Sequence, residues 1–233
     1  QINPVDPGLW FNTISLGRPS LGAFMYQLYY SSGACSLAVQ IKLKKAGVPY
    51  QPVKVDLAQG QHQTDSFRQL NPAERVPVLL FQDTALTEAM ALLIWLEQRH
   101  PQGLLPTEPL LQAKVLAKMT WLSNTLHIDF ATLWRPQRFV LDAGLKTAVS
   151  TQAQPRLLQR FTELNQELAQ HQYWLSDQLT LADYYLLPFI RWSLSAVPGV
   201  AQLHSLQQYL DRMGELPEVK AALELEQIPL RKN

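Results

Sequence analysis

Apolar residues change their spacing part-way along this chain. Up to residue 100 short runs and alternating stretches are interleaved with helical ones, and beyond residue 109 apolar residues recur every three or four positions. Residues 26–30 are aromatic-rich and predict a strand, with Ser31-Ser32-Gly33 as a turn. Residues 35–46 have helical spacing and stop at Gly47. Lys42, Lys44 and Lys45 stand in the last turns, where cations suit a helix C-terminus, and are expected on its wet face. Residues 52–57 alternate as a second strand, and the polar stretch 59–70 predicts a short helix or irregular chain. The apolar run 76–81 is followed by a turn at Asp83-Thr84 and a second short strand at Ala85-Leu86. Thr87-Glu88 then open a helix over 89–98. The order β-α-β-α-β-β-α mixes a crossover unit with a hairpin.

Pro77 sits at the entrance of its apolar run, where a sheet ladder wants an N–H donor. It is tolerated at a strand start, an edge or a special turn, and it pushes Val76 to an extended conformation. Strand, tight turn, strand and a helix N-terminus fronted by Glu88 leave backbone groups available to a small polar ligand, which marks a candidate site. Residues 101–109 contain three prolines and one glycine and read as a linker. After it, Val115, Met119, Leu122 and Leu126 form one helical stripe, and Leu157, Phe161, Leu164 and Leu168 another. Residues 181–190, 203–213 and a short segment 217–225 complete an all-helical second half. Thr180 and Asp183 have capping-box spacing, with Asp in place of the usual Glu or Gln. The expected class is α/β plus all-α, with an α/β domain over 25–100, a linker over 101–109 and a helical bundle over 110–233. Met25 directly precedes the first strand and is expected as the natural start, with residues 1–24 a leader or expression remnant.

Composition narrows the function classes. At 233 residues, 47% apolar and 17% charged, the chain can bury a large core and has room for two domains. A net charge of +1 and a single short lysine cluster argue against a nucleic-acid partner. One cysteine excludes an internal disulfide, a two-cysteine redox pair and a multi-cysteine zinc site, and no metal is expected. No apolar run reaches bilayer length, so no membrane association is expected. Residues 1–24 lack the basic and apolar regions of a signal peptide, which makes the cytoplasm the default compartment.

Six pieces, in order, resemble the glutathione transferase family, and most closely its bacterial beta class. They are YYSSGACS at 29–36, NPAERVPVLL at 71–80, LTEA at 86–89, LHIDF at 126–130, LWRP at 133–136 and LTLADYYL at 179–186. Together they span essentially all of 25–225. The resemblance implies a thioredoxin-like N-terminal domain, a helical C-terminal domain, a homodimer, and glutathione as co-substrate beside a small apolar electrophile. It also implies a cis peptide before Pro77, with the Val76 backbone pairing to the cysteinyl part of glutathione.

Each candidate residue carries a functional and a plain reading. Cys35, at the start of the first helix, would have its thiolate favoured by the helix dipole, or would be a small buried hydrophobe. Ser36 would donate its hydroxyl to the sulfur, or would cap the helix. Tyr30, the donor position of other transferase classes, ranks below both. Glu88 is favoured at a helix start in any case; the resemblance adds the anchoring of the γ-glutamyl ammonium. Many family members have serine after this glutamate, and this chain has Ala89. One lost hydrogen bond to a charged group costs about 1.5–3 kcal/mol, while the Ala89 N–H remains. His127 corresponds to a histidine near the sulfur, or is a structural residue. Ile128 stands where lysine is common, and removing a cation there would raise the thiol pKa. Trp121, Phe130 and Trp134 would line an apolar pocket or belong to the core. The polar stretch 59–64 falls where the glycyl end of glutathione would lie.

Two functions follow. The first is a glutathione transferase conjugating glutathione to an apolar electrophile, with thiol–disulfide exchange through Cys35 as a sibling chemistry. The site would comprise Cys35, Ser36 and His127 with Val76, Pro77, Glu88 and Ala89. The second, motivated by Ala89 and Ile128, is a non-catalytic binding protein with a weakened glutathione site.

Overall fold

The computed structural model describes residues 26–231. The expectation that 1–24 are a leader before Met25 therefore lies outside the described residues. Four strands, β1 (Tyr26–Tyr30), β2 (Tyr50–Lys54), β3 (Val78–Phe81) and β4 (Thr84–Thr87), form one sheet in the order β2-β1-β3-β4. β1 and β2 are parallel, joined over α1 (Ser36–Ala46), and β3 runs antiparallel to both β1 and β4. With α2 (Asp65–Leu70) and α3 (Ala89–Arg99) this is the thioredoxin-like arrangement.

Two of the boundaries that differ from the sequence pattern do so for local reasons. β2 ends before the predicted 57 because Asp56 Oδ1 accepts from the Ala58 and Gln59 N–H groups at 2.9 and 3.1 Å, closing a turn. Pro52 is tolerated because β2 is an edge strand. The hairpin turn sits at Gln82-Asp83 rather than Asp83-Thr84, because Phe81 pairs with Thr84 and Gln82 takes the left-handed conformation at φ 53°.

The second half is helical. α4 (Pro109–Trp121) continues through a π-helical turn, Leu122–Leu126, into α5 (His127–Trp134). α6 (Ala143–Leu168), α7 (Leu181–Ala196), α8 (His204–Glu215) and α9 (Pro217–Glu226) follow. The capping box forms as its spacing predicts. Thr180 N–H donates to Asp183 Oδ2 at 2.8 Å, and Asp183 Oδ1 also accepts from Trp174 N–H and the Tyr209 hydroxyl, both at 2.9 Å.

One core crosses both halves. α1 is buried without interruption from Ser36 to Leu43 and packs against β1, α3, α7 and α9. That overturns the wet-face expectation for Lys42, which is fully buried. Its Nζ lies 2.8 Å from Glu97 Oε2 and donates to the His100 carbonyl at 2.8 Å. Glu97 in turn accepts from the Gln102 and Leu104 N–H groups at 2.8 and 2.9 Å. Burial pulls the ammonium below its ordinary pKa, and Glu97 opposes that pull. The periodic position that seemed polar is therefore a core position whose charge is paired.

Replacing Lys42 by Met should leave Glu97 charged and unpaired in the core. Such single-partner losses cost about 3–5 kcal/mol, while replacing both partners is far milder. Chemical denaturation at pH 7 should show K42M strongly destabilised and K42M/E97L recovering most of the loss. A K42M midpoint equal to wild type would contradict this role.

Candidate functional site

A cavity of about 1050 Å³ opens between the sheet half and the helical half. Cys35, Val76, Pro77, Glu88, Ala89 and His127, drawn from four separated segments, all line it. The Val76-Pro77 peptide is cis. Neither the N–H nor the C=O of Val76, nor the N–H of Ala89, has a backbone partner among the described residues. Both residues line the cavity, and these three backbone groups keep their hydrogen-bonding capacity, which in a folded chain asks for water or ligand.

Ser36 is not brought into this cavity. It is fully buried, and its Oγ donates to the Ser31 carbonyl and accepts from the Ser31 N–H, both at 3.2 Å. Its hydroxyl fixes the turn before the helix instead. Tyr30 is likewise buried away from the lining, and the tyrosine at the cavity is Tyr185 of α7.

Glu88 is the residue before α3 and makes no side-chain bond to that helix. Its φ of 67° lies in the left-handed region, which costs a non-glycine residue about 1–3 kcal/mol and tends to mark functional sites. Glu88 lines the same cavity as Cys35. Burial, and after it Glu88, push the Cys35 thiol well above its ordinary pKa, and the backbone hydrogen bond at Cys35 opposes them. The expected help from the helix start is present as that backbone hydrogen bond, but burial outweighs it. Cys35 is a neutral thiol at pH 7.

The loop before Cys35 is held by the far end of the chain. Gly33 adopts φ 74°, and a Cβ there would meet the Arg191 guanidinium at 3.1 Å, so a side chain would be both strained and crowded. Its N–H donates to Glu226 Oε2 at 2.7 Å, and its carbonyl accepts from Trp192 Nε1 at 2.7 Å. Burial pushes the Glu226 carboxyl up to about 7, against the Gly33 hydrogen bond and the nearby Arg191 and Lys54 charges.

His127 begins α5, directly after the π turn, and packs its ring on Phe189 and Trp192 at centroid distances of 5.7 and 5.5 Å. It lines the cavity, and burial of the imidazole against its neighbours, followed by the charges of Arg75, Arg135 and Arg138, lowers its pKa to about 4. The imidazole is neutral at pH 7. Of the predicted apolar wall, Trp134 lines the cavity, as does Ile128. Phe130 is buried beneath Trp134 at 5.0 Å, and Trp121 packs on Trp174 at 5.9 Å within the helical core. His62 and Gln63 of the polar stretch also reach the lining. Sequence reasoning missed Tyr185, Phe139 and the three arginines. Arg75 stands directly before Val76-Pro77, and Arg135 and Arg138 follow α5 in the run RPQR; their convergence depends on how the two halves meet.

Comparison with known proteins gives the lineage. The description "Glutathione S-transferase, N-terminal domain" matches residues 26–98, and "Glutathione S-transferase, C-terminal domain" matches 124–217. Glutathione S-transferase GstA of Escherichia coli O157:H7 is 31% identical over 205 residues, which are 86% of this chain and 98% of that protein. The chain belongs to the glutathione S-transferase family. Among solved structures, this transferase chain superposes on a Sulfitobacter glutathione transferase homologue with bound glutathione, with a TM-score of 0.82 at 29% identity, over 86% of this chain and 98% of that one. A beta-class transferase from Sphingomonas chungbukensis matches with a TM-score of 0.75 at 27% identity, over 87% and 100% of the two chains.

Glu226 gives this transferase a testable pH signature. Its folded pKa of about 7 lies above the 4.5 of the free side chain, so between those values the native state holds more protons than the unfolded one. Stability contributed at this site is therefore full below 4.5 and falls as pH rises to 7, by up to about 3 kcal/mol. Glu226→Gln keeps an acceptor for Gly33 and removes the titration. The stability advantage of E226Q over wild type, measured by denaturation, should grow from pH 5 to pH 8. An advantage that stays constant with pH would refute the assignment.

Proposed function

We propose that this protein conjugates reduced glutathione to small apolar electrophiles. The observation that carries the reading is the convergence on one cavity of Cys35, the unpaired Val76 backbone, Glu88 with the Ala89 N–H, and a neutral His127. In this reading the Val76 N–H and C=O pair with the cysteinyl residue, and Glu88 takes the γ-glutamyl ammonium. The Ala89 N–H takes the γ-glutamyl carboxylate in place of a serine hydroxyl. His62 and Gln63 lie at the glycyl end. Ile128, Trp134 and Phe139 form the wall for the electrophile. The sulfur attacks as thiolate, its proton passing to water or to the neutral imidazole of His127, and the leaving group departs with its bonding pair.

The state of Cys35 favours conjugation over exchange. A thiol held protonated by burial and by Glu88 is a poor nucleophile toward a disulfide but can donate an S–H bond to a neighbouring thiolate. The non-catalytic alternative has no comparable support, since every backbone donor and acceptor that the binding reading needs is available. The homodimer and cytoplasmic setting implied by the family belong to this proposal.

Calorimetric titration of reduced glutathione should give saturable binding in the micromolar-to-millimolar range, and no saturation would sink the reading. Cys35→Ala should keep glutathione binding within a few-fold and keep measurable conjugation. Loss of all conjugation in C35A, with strong hydroxyethyl-disulfide reduction by wild type, would instead establish Cys35 as the nucleophile. Because His127 is already neutral above pH 5, conjugation between pH 5.5 and 8 should show a single acidic limb, with the same midpoint in wild type and His127→Gln.

A further inference from the structure

Arg75, Arg135 and Arg138 are not used by the reading above. They come from two distant segments, the turn before Val76 and the chain after α5, and all three line the same cavity. None makes an ion pair, and none makes a side-chain hydrogen bond among the described residues, although the exposed Arg68 and the half-buried Arg156 and Arg231 do. The cavity's two carboxylates do not answer them. Glu74 is tied to Arg68 Nε at 2.7 Å, and Glu88 lies at the Cys35 end. The guanidinium groups are close enough to act on one another: burial, then Arg135 and Arg75, pull Arg138 below its ordinary pKa. Beside them, Ile128, Trp134 and Phe139 are 46%, 48% and 44% exposed, an uncovered apolar wall. Three unpaired cations against aromatic side chains match a molecule with an apolar ring and an anionic group.

We propose that the electrophile side of the cavity selects organic acids, with Arg75, Arg135 and Arg138 holding the carboxylate or sulfonate and Trp134 and Phe139 holding the ring. The inference rests on the glutathione reading for its chemistry but not for its binding. The substrate class becomes ring-bearing acids with an electrophilic carbon. The glutathione sulfur forms a C–S bond at that carbon, the leaving halide takes the bonding pair, and the thiol proton goes to water. A bound carboxylate would also relieve the mutual repulsion of the arginines, so preference for an acid should weaken as salt screens it.

The test uses matched pairs. The first is 4-chloro-3,5-dinitrobenzoate against 1-chloro-2,4-dinitrobenzene, each kcat/KM divided by that compound's spontaneous rate with glutathione. The acid should be favoured about tenfold or more at low salt, and the ratio should collapse toward one in 0.5 M salt and in R135Q/R138Q. Using the ratio cancels any change these substitutions make to the sulfur itself. The second pair needs no turnover: 8-anilinonaphthalene-1-sulfonate against uncharged N-phenyl-1-naphthylamine, titrated by fluorescence on the ligand-free protein. The sulfonate should bind more tightly to wild type, and R135Q/R138Q should lose that margin, with melting temperature confirming the fold. A neutral partner handled as well as the acid in both pairs would overturn the proposal. So would a preference that survives in R135Q/R138Q. Competitive loss of the sulfonate on adding glutathione, with R135Q/R138Q weakening glutathione itself, would assign the arginines to glutathione's carboxylates and overturn it too. Intact dye discrimination with no glutathione heat would uphold the anion subsite and fail the conjugation reading alone.

Discussion

Helix α1 has no wet face over its first two turns, and the geometry of the site follows from that enclosure. The sheet lies on one side, α3 on another, and α7 and α9 of the second half close the rest. Polar groups in such a helix need internal partners. Ser36 takes the Ser31 backbone, and Lys42 takes Glu97 and the His100 carbonyl. The amide of Gln40 has no partner among the described residues, and nothing in the structure explains it. A helix held on every side cannot slide, so Cys35 at its N-terminus is fixed at the floor of the cavity.

The same enclosure makes the site a joint product of both halves. Gly33 receives Trp192 from α7 on its carbonyl and gives its N–H to Glu226 of α9. Arg191 closes over this turn while donating to the Pro229 carbonyl at 2.9 Å. Carboxylates consequently stand on two sides of the Cys35 segment, Glu88 from the sheet half and Glu226 from the helical half. The cations gather across the cavity near His127. Charge is thus divided across the cleft, with acids near the thiol and guanidinium groups near the apolar wall. A zwitterionic tripeptide and an anionic second substrate are the ligands that such a division suits.

Most of the fold was legible from spacing alone. The strand at 26–30, the hairpin, the helix after Glu88 and the capping box of Thr180 and Asp183 follow from periodicity and turn chemistry. The class of the second half follows from its stripes. What periodicity missed was tertiary. Lys42 reads as a surface lysine until α3 brings Glu97 against it. Ser36 reads as a site hydroxyl until its Oγ is seen closing the Ser31 turn. Tyr185 lies inside a motif that announces a buried helix, and only the packing of α7 over α1 turns it toward the cavity. Of the candidate site, the backbone-defined part around Val76, Glu88 and Ala89 was legible, because a proline and a helix start are local signals. The electrostatic part was not, because Arg75 is some sixty residues from Arg135.

That missing part changes how the substitution at Ile128 should be weighed. A lysine at that position would place one charge beside the sulfur, and its absence alone argues for a weaker thiolate. Coulomb interaction, however, falls only as the inverse of distance, and within a cleft walled by protein it is screened less than at an open surface. Three guanidinium groups acting from the rim can replace one ammonium at closer range, and their reach is visible at His127, whose pKa burial first and then all three arginines lower to about 4. Charge has moved from a single point next to the sulfur to a cluster beside the apolar wall. A point charge serves the nucleophile whatever the second substrate is, whereas a rim cluster serves it while also sorting second substrates by sign.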